Sequence, residues 1–224
     1  MALVQLDLPD PTALRGRWAA LAAVQAAAGN GDQCQGSSSL WHYDDGHGSW
    51  AELHHLDAGR AVLLGQDRNE SRTFYAEASD FFEEPGTDLL AGAPGWWEPP
   101  VRRVREAQLF LGFVYGFDGG AWKRADYDAE DGFTALRLPA LSVGWTREGV
   151  VAAIRRTAGA ESRDPSTDSV DALIAADADL DAAAVAAVVP AGWDADAGAA
   201  AARAFLPDEL TRAHASRCSA TLPE

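Results

Sequence analysis

The sequence predicts an α+β fold: a mostly antiparallel sheet made from two three-stranded meanders, with an N-terminal helix and an α-helical C-terminal layer. Three observations predict it. Short apolar runs joined by Asp-Gly turns occur at residues 39–65 and again at 108–138, which is the pattern of successive hairpins. Apolar residues at helical spacing precede the first block and follow the second. Strands do not alternate with crossover helices, as a doubly wound sheet would require. With 224 residues, 47% of them hydrophobic, the chain can bury a sizeable core. Composition changes near Thr146. The sheet region is therefore placed at 1–145 and the helical region at 146–224, packed on the same core.

Pro11 to Ala28 reads as the first helix, with Leu14, Trp18, Leu21 and Val24 on one face and Gly29-Asn30-Gly31 as its stop. Gln33 to Ser39 is a polar connection. Leu40 to Leu56 then forms a hairpin about Asp45-Gly46, and Arg60 to Gly65 returns after Asp57-Ala58-Gly59 as a third strand. Strand alternation puts Leu40, His42, Asp44, Ser49, Ala51, Leu53 and His55 on one face. Trp41, Tyr43, Trp50, Glu52, His54 and Leu56 fall on the other.

Thr73 to Glu83 is a short helix with a stripe of Phe74, Ala78, Phe81 and Phe82, ended by Pro85-Gly86. Ala93 to Pro100 is a loop rich in turn formers and holds Trp96-Trp97. The second meander runs Gln108–Phe117, Ala121–Tyr127 and Phe133–Leu138. Thr146 caps a helix to Ala158, and Thr167 or Asp168 caps another through Ala176. Leu180 to Val189 is a third, Asp194 opens a fourth through Phe205, and Pro207 starts a final one to about Arg217.

The block Trp41-His42-Tyr43-Asp44-Asp45-Gly46, then Trp50-Ala51-Glu52-Leu53 and Gly59 to Gly65, resembles uncharacterised proteins of Streptomyces-type actinobacteria. The resemblance covers residues 12 to about 145. It implies a cytoplasmic bacterial origin and carries no catalytic residue across. The general make-up, acidic and mixed α+β with few motifs, is also similar to that of bacterial immunity proteins, which neutralise toxins by binding them.

Charge excludes some functions. The net charge is −16, so there is no cationic surface to replace phosphate counterions, and neither nucleic acid nor an anionic membrane is an expected partner. The only basic cluster is Arg102, Arg103 and Arg105. Cys34 and Cys218 are the two cysteines, without CxxC spacing, which excludes a zinc knuckle or thioredoxin-type motif. The N-terminus lacks a basic stretch followed by an apolar core, so the protein is expected in the cytoplasm.

Two readings of function follow. The leading one is a non-enzymatic protein-binding module, immunity-like and without a cofactor. Its acidic, aromatic-bearing surface would include Trp96 and Trp97, because paired indoles in a stiff Pro/Gly loop make a contact surface for an unknown protein partner. The alternative is a metal-assisted hydrolase centred on the hairpin 41–55, where four of the five histidines cluster. His42, Asp44, His47 and His55 would then hold zinc or another divalent transition metal.

Overall fold

The computed structural model describes residues 2–206. The helix expected from Pro207, and Cys218, lie outside the described residues. The chain runs β1 (Val4–Leu6), α1 (Pro11–Ala27), β2 (Cys34–Gly36), β3 (Leu40–Asp44), β4 (Trp50–His55), β5 (Ala61–Gln66), α2 (Glu77–Phe82) and α3 (Glu98–Glu106). It continues through β6 (Phe113–Phe117), β7 (Trp122–Arg124), α4 (Phe133–Leu136), α5 (Val143–Ala158), α6 (Thr167–Ala175), α7 (Ala182–Ala186) and α8 (Ala195–Arg203). The strands form one antiparallel sheet in the order β1-β7-β6-β5-β4-β3-β2. The expected α+β class with an antiparallel sheet is therefore observed. Among the described residues no helix is long and apolar enough to cross a membrane.

The two expected hairpin blocks do share a sheet: β5 pairs with β4 on one side, Leu53 opposite Leu63, and with β6 on the other, Leu63 opposite Tyr115. The second block, however, holds two strands instead of three. Phe133 to Leu138 was expected as a strand, yet it opens as the helix α4. Asp131 Oδ1 accepts the Phe133 N–H at 3.1 Å, and Gly132 takes a left-handed φ of +78°. That turn starts a helical coil whose i, i+3 pair, Phe133 and Leu136, is buried. The sheet is completed at its ends by β1 and β2, each of three residues. Val4-Gln5-Leu6 pairs with Arg124-Lys123-Trp122. Segments this short carry no periodic signal.

Two compact units divide the chain: residues 2–13 with 42–138, and residues 14–41 with the described residues from 139 onward. The boundary expected at 145 thus falls at 138, and most of α1 belongs with the C-terminal helices.

In the first unit both sheet faces are apolar. Trp50, Val62, Leu64 and Val114 project to one face and pack with Leu89, Trp97, Val101, Val104 and Leu111. Leu53, Leu63, Phe113 and Tyr115 project to the other and are also buried. A strand buried on both faces reads as a continuous apolar run, as Ala61 to Leu64 does.

In the second unit α1 is enclosed on every side from Trp18 to Gln25, and not only along the expected stripe. A Cβ on its Gly16 would lie 2.4 Å from the Ile174 carbonyl oxygen, so the glycine permits that approach. Arg15 Nε donates to Asp177 Oδ1 at 3.0 Å beside it. Trp41 stacks between Trp18 and Phe205, with ring centres 5.6 and 5.5 Å away. The buried Cys34 thiol donates to the Trp18 carbonyl at 3.7 Å, and burial pushes its ionisation far above the ordinary range. Ser142 caps α5 in place of Thr146, whose hydroxyl is turned inward onto the Pro139 carbonyl. Ser166, Asp181 and Asp194 cap the helices that follow.

Candidate functional site

The histidine-rich hairpin does not assemble the expected metal ligands. Asp45 N–H donates to the Ser49 carbonyl at 3.0 Å, which leaves Gly46-His47-Gly48 as the loop. That register brings His42 against Glu52, with Nδ1 3.5 Å from Oε1. His42 therefore shares the face of Glu52 and His54, while His55 projects from the opposite one. The expected face assignment joined His42 to His55; it differs because it placed the turn elsewhere, and a shift of register reassigns faces. Asp44 is spent on the turn, accepting the Gly46 N–H at 2.6 Å. His47 is exposed and folds back to within 2.9 Å of the Asp45 carbonyl. Among the described residues no group of three or more His, Cys, Asp or Glu side chains could hold a metal ion.

The hairpin holds an ion-pair cluster that the sequence reading missed. Glu52 is bracketed by His54 Nε2 at 2.8 Å and His42 Nδ1 at 3.5 Å. Burial disfavours the Glu52 carboxylate, but the hydrogen bonds and charges of the two imidazoles prevail and hold its pKa down to about 2. The sequence signal was the spacing Glu52-x-His54, which puts both side chains on one strand face.

Trp96 and Trp97 are not a displayed pair. They sit in a single turn of 3-10 helix that runs directly into α3. Trp97 is 1% exposed and belongs to the core. A Cβ on Gly116 of β6 would lie 2.1 Å from its indole, so glycine there is what lets the ring lie on the strand. Trp96 is half-buried, edge-on to Trp97 at 5.8 Å, with the Arg60 guanidinium 5.4 Å above its ring. The Pro/Gly composition suggested a loop, but Pro99 and Pro100 sit at the first positions of α3, where proline suits a helix start. The basic cluster is also engaged: Arg102 lies 4.0 Å from Glu98 and 3.9 Å from Glu106, and Arg105 pairs with Glu77.

The exposed aromatics are phenylalanines. Phe81 is 70% exposed, Phe82 46% and Leu109 44%. Phe81, Phe82 and Phe110 form a mutually stacked triangle with ring centres 4.9, 5.4 and 5.2 Å apart, and Phe74 joins Phe82 at 5.6 Å. Beside it lies a cleft of about 390 Å³ lined by Phe81, Leu109, Phe110, Gln108, Glu77 and Arg105. Arg105 Nε donates to Glu77 at 3.0 Å across the cleft, and this bond holds the Glu77 carboxyl down at about 2. Residues 77–84 carry four carboxylates, Glu77, Asp80, Glu83 and Glu84, and no cation. Local backbone strain marks the same place: Ala76, Glu83 and Gln108 have φ of +51°, +56° and +59°, conformations that cost non-glycine residues free energy.

Adjacent side chains on a helix point about 100° apart, and in the six-residue α2 only Ala78 is buried. The consecutive pair Phe81-Phe82 was therefore a readable sign that one ring faces water, although the expected stripe placed both with the core. The contributions of Leu109 and Phe110 had no local signal.

Compared with protein-family models, curated proteins and solved structures, the chain matches none.

Proposed function

We propose that the protein is a non-enzymatic binding module of the cytoplasm, immunity-like in its mode of action, that docks a basic, amphipathic segment of a partner protein on the Phe81–Phe82–Leu109–Phe110 surface. The observation that carries this reading is the exposure of Phe81 and Phe82 in one stacked cluster. Apolar side chains so gathered in water are costly, and such patches mark contact sites. Aromatic rings make the strongest anchors at interfaces because they bury large area with little rotamer loss. Asp80, Glu83 and Glu84 supply the complementary rim, Glu77 being paired with Arg105, and a net charge of −16 steers a cationic partner inward. The same charge is why nucleic acid is not the partner.

The test is a titration followed by amide NMR. A synthetic amphipathic helix of leucine and lysine is added first, then the same helix with glutamate for lysine, then single-stranded DNA. The basic peptide should shift amides at 74–84 and 105–110, while the acidic peptide and the DNA leave them in place. Shifts scattered over the whole acidic surface, or equal response to the acidic peptide, would overturn the reading.

A further inference from the structure

A cavity of about 570 Å³ opens beside β7 and α4 in the first unit, away from the phenylalanine surface in sequence and in its lining. Its volume suits a small organic molecule. The wall includes Tyr115, Tyr127 and Phe133, with Tyr115 and Phe133 in edge-to-face contact at 4.8 Å.

Acceptors outnumber donors on the side chains that line this cavity, the donors being Arg124, the Thr134 hydroxyl and the two phenols. Asp131, itself buried, accepts the Tyr115 hydroxyl at 2.6 Å and the Tyr127 hydroxyl at 2.9 Å on Oδ2, and the Phe133 N–H on Oδ1. Each phenol has a single hydrogen and has given it to Asp131, so its oxygen can only accept from anything else. Burial and the Asp131 charge keep both hydroxyls protonated far beyond their ordinary range. Asp7, Asp128 and Glu130 add acceptor-only carboxylates at the exposed rim.

Among the described residues one cation lines the cavity, Arg124. Its Nη1 is held by the Ala125 and Tyr127 carbonyls at 3.1 and 3.0 Å, and its guanidinium lies 4.3 Å over the Tyr127 ring. Four carboxylates against one guanidinium leave the lining net negative, which repels an anionic ligand. A bare metal ion does not fit either, since no group of three suitable ligands converges among the described residues. Arg124 already covers one face of Tyr127, which leaves Tyr115 and Phe133 as the rest of the aromatic wall.

We propose that this cavity binds a small organic cation bearing N–H donors, a primary ammonium or guanidinium compound. Its charged head would be held by Asp128, Glu130 and the phenol oxygens of Tyr115 and Tyr127, and its carbon chain by the aromatic wall. The site is independent of the docking surface, and its failure would leave that reading intact.

Isothermal titration with agmatine tests it, with choline as a cation that has no N–H donor. Agmatine should bind with one-to-one stoichiometry, and choline should bind more weakly. Asp128→Asn with Glu130→Gln should weaken agmatine by about tenfold or more, since both groups make charge-assisted hydrogen bonds. Glu161→Gln with Asp196→Asn removes two exposed charges elsewhere and should leave its affinity unchanged. No saturable heat at millimolar agmatine, choline binding as tightly, or equal weakening by the two double variants would each overturn the proposal; the last would mark the attraction as that of the overall negative field.

Discussion

At the scale of single residues, Glu52 carries the best-defined electrostatics of the sheet. Its carboxylate lies between His42 and His54, with its pKa held at about 2 against an ordinary 4.5. A carboxyl whose pKa is lowered by folding stabilises the folded state at pH above its unfolded value. That contribution is lost as pH falls through the folded value. The window is therefore about 4.5 down to about 2. Urea unfolding should show wild type losing its advantage over Glu52→Gln across this acid window; parallel profiles for the two proteins would refute the pairing. The residue types of this hairpin were legible in the sequence, but not all of their partners were. Glu52-x-His54 shows one contact, but whether His42 meets Glu52 depends on a register fixed by the Asp45–Ser49 bond, and a different turn placement sends His42 to the other face.

At the scale of elements, α3 shows how composition misleads. Pro99 and Pro100 begin the helix instead of interrupting a loop, and Val101 and Val104 then fall at helical spacing onto the core. Trp97, at the junction, is wedged over Gly116, whereas Trp96 lies half-open under Arg60. The two adjacent indoles should thus behave very differently. Trp97→Ala should cost roughly 3–5 kcal/mol by leaving a large cavity. Trp96→Ala should cost about 1 kcal/mol, the central tendency for single substitutions. Thermal melts of the two variants check this, and equal losses would contradict the placement. Of the long elements, β4 and α5 were readable from an apolar repeat, and α1 and β5 from apolar runs bounded by turn residues. Strands β1 and β2 and the helix α4 were not, because three or four residues satisfy either period.

At the scale of the whole molecule, the acidity that makes nucleic acid an unexpected partner also shapes the proposed docking site. A net charge of −16 raises encounter rates with a cationic partner. It confers no specificity, which must come from the exposed phenylalanines. The acidity and the aromatic content followed from composition, but the position of the exposed rings did not. Tryptophans in a turn-rich stretch drew attention, while the exposed rings came from α2 and from residues 109–110, brought together only by folding. The most direct measurement is the affinity of the leucine–lysine peptide for wild type and for Phe81→Ala with Phe82→Ala, taken alongside both melting temperatures. The variant is expected to remain folded, with a melting temperature lowered by the lost ring contacts to Phe74 and Phe110, and to lose most of its peptide affinity. Undiminished binding by a variant that remains folded, or unfolding of the variant itself, would contradict the assignment of these rings to a docking surface.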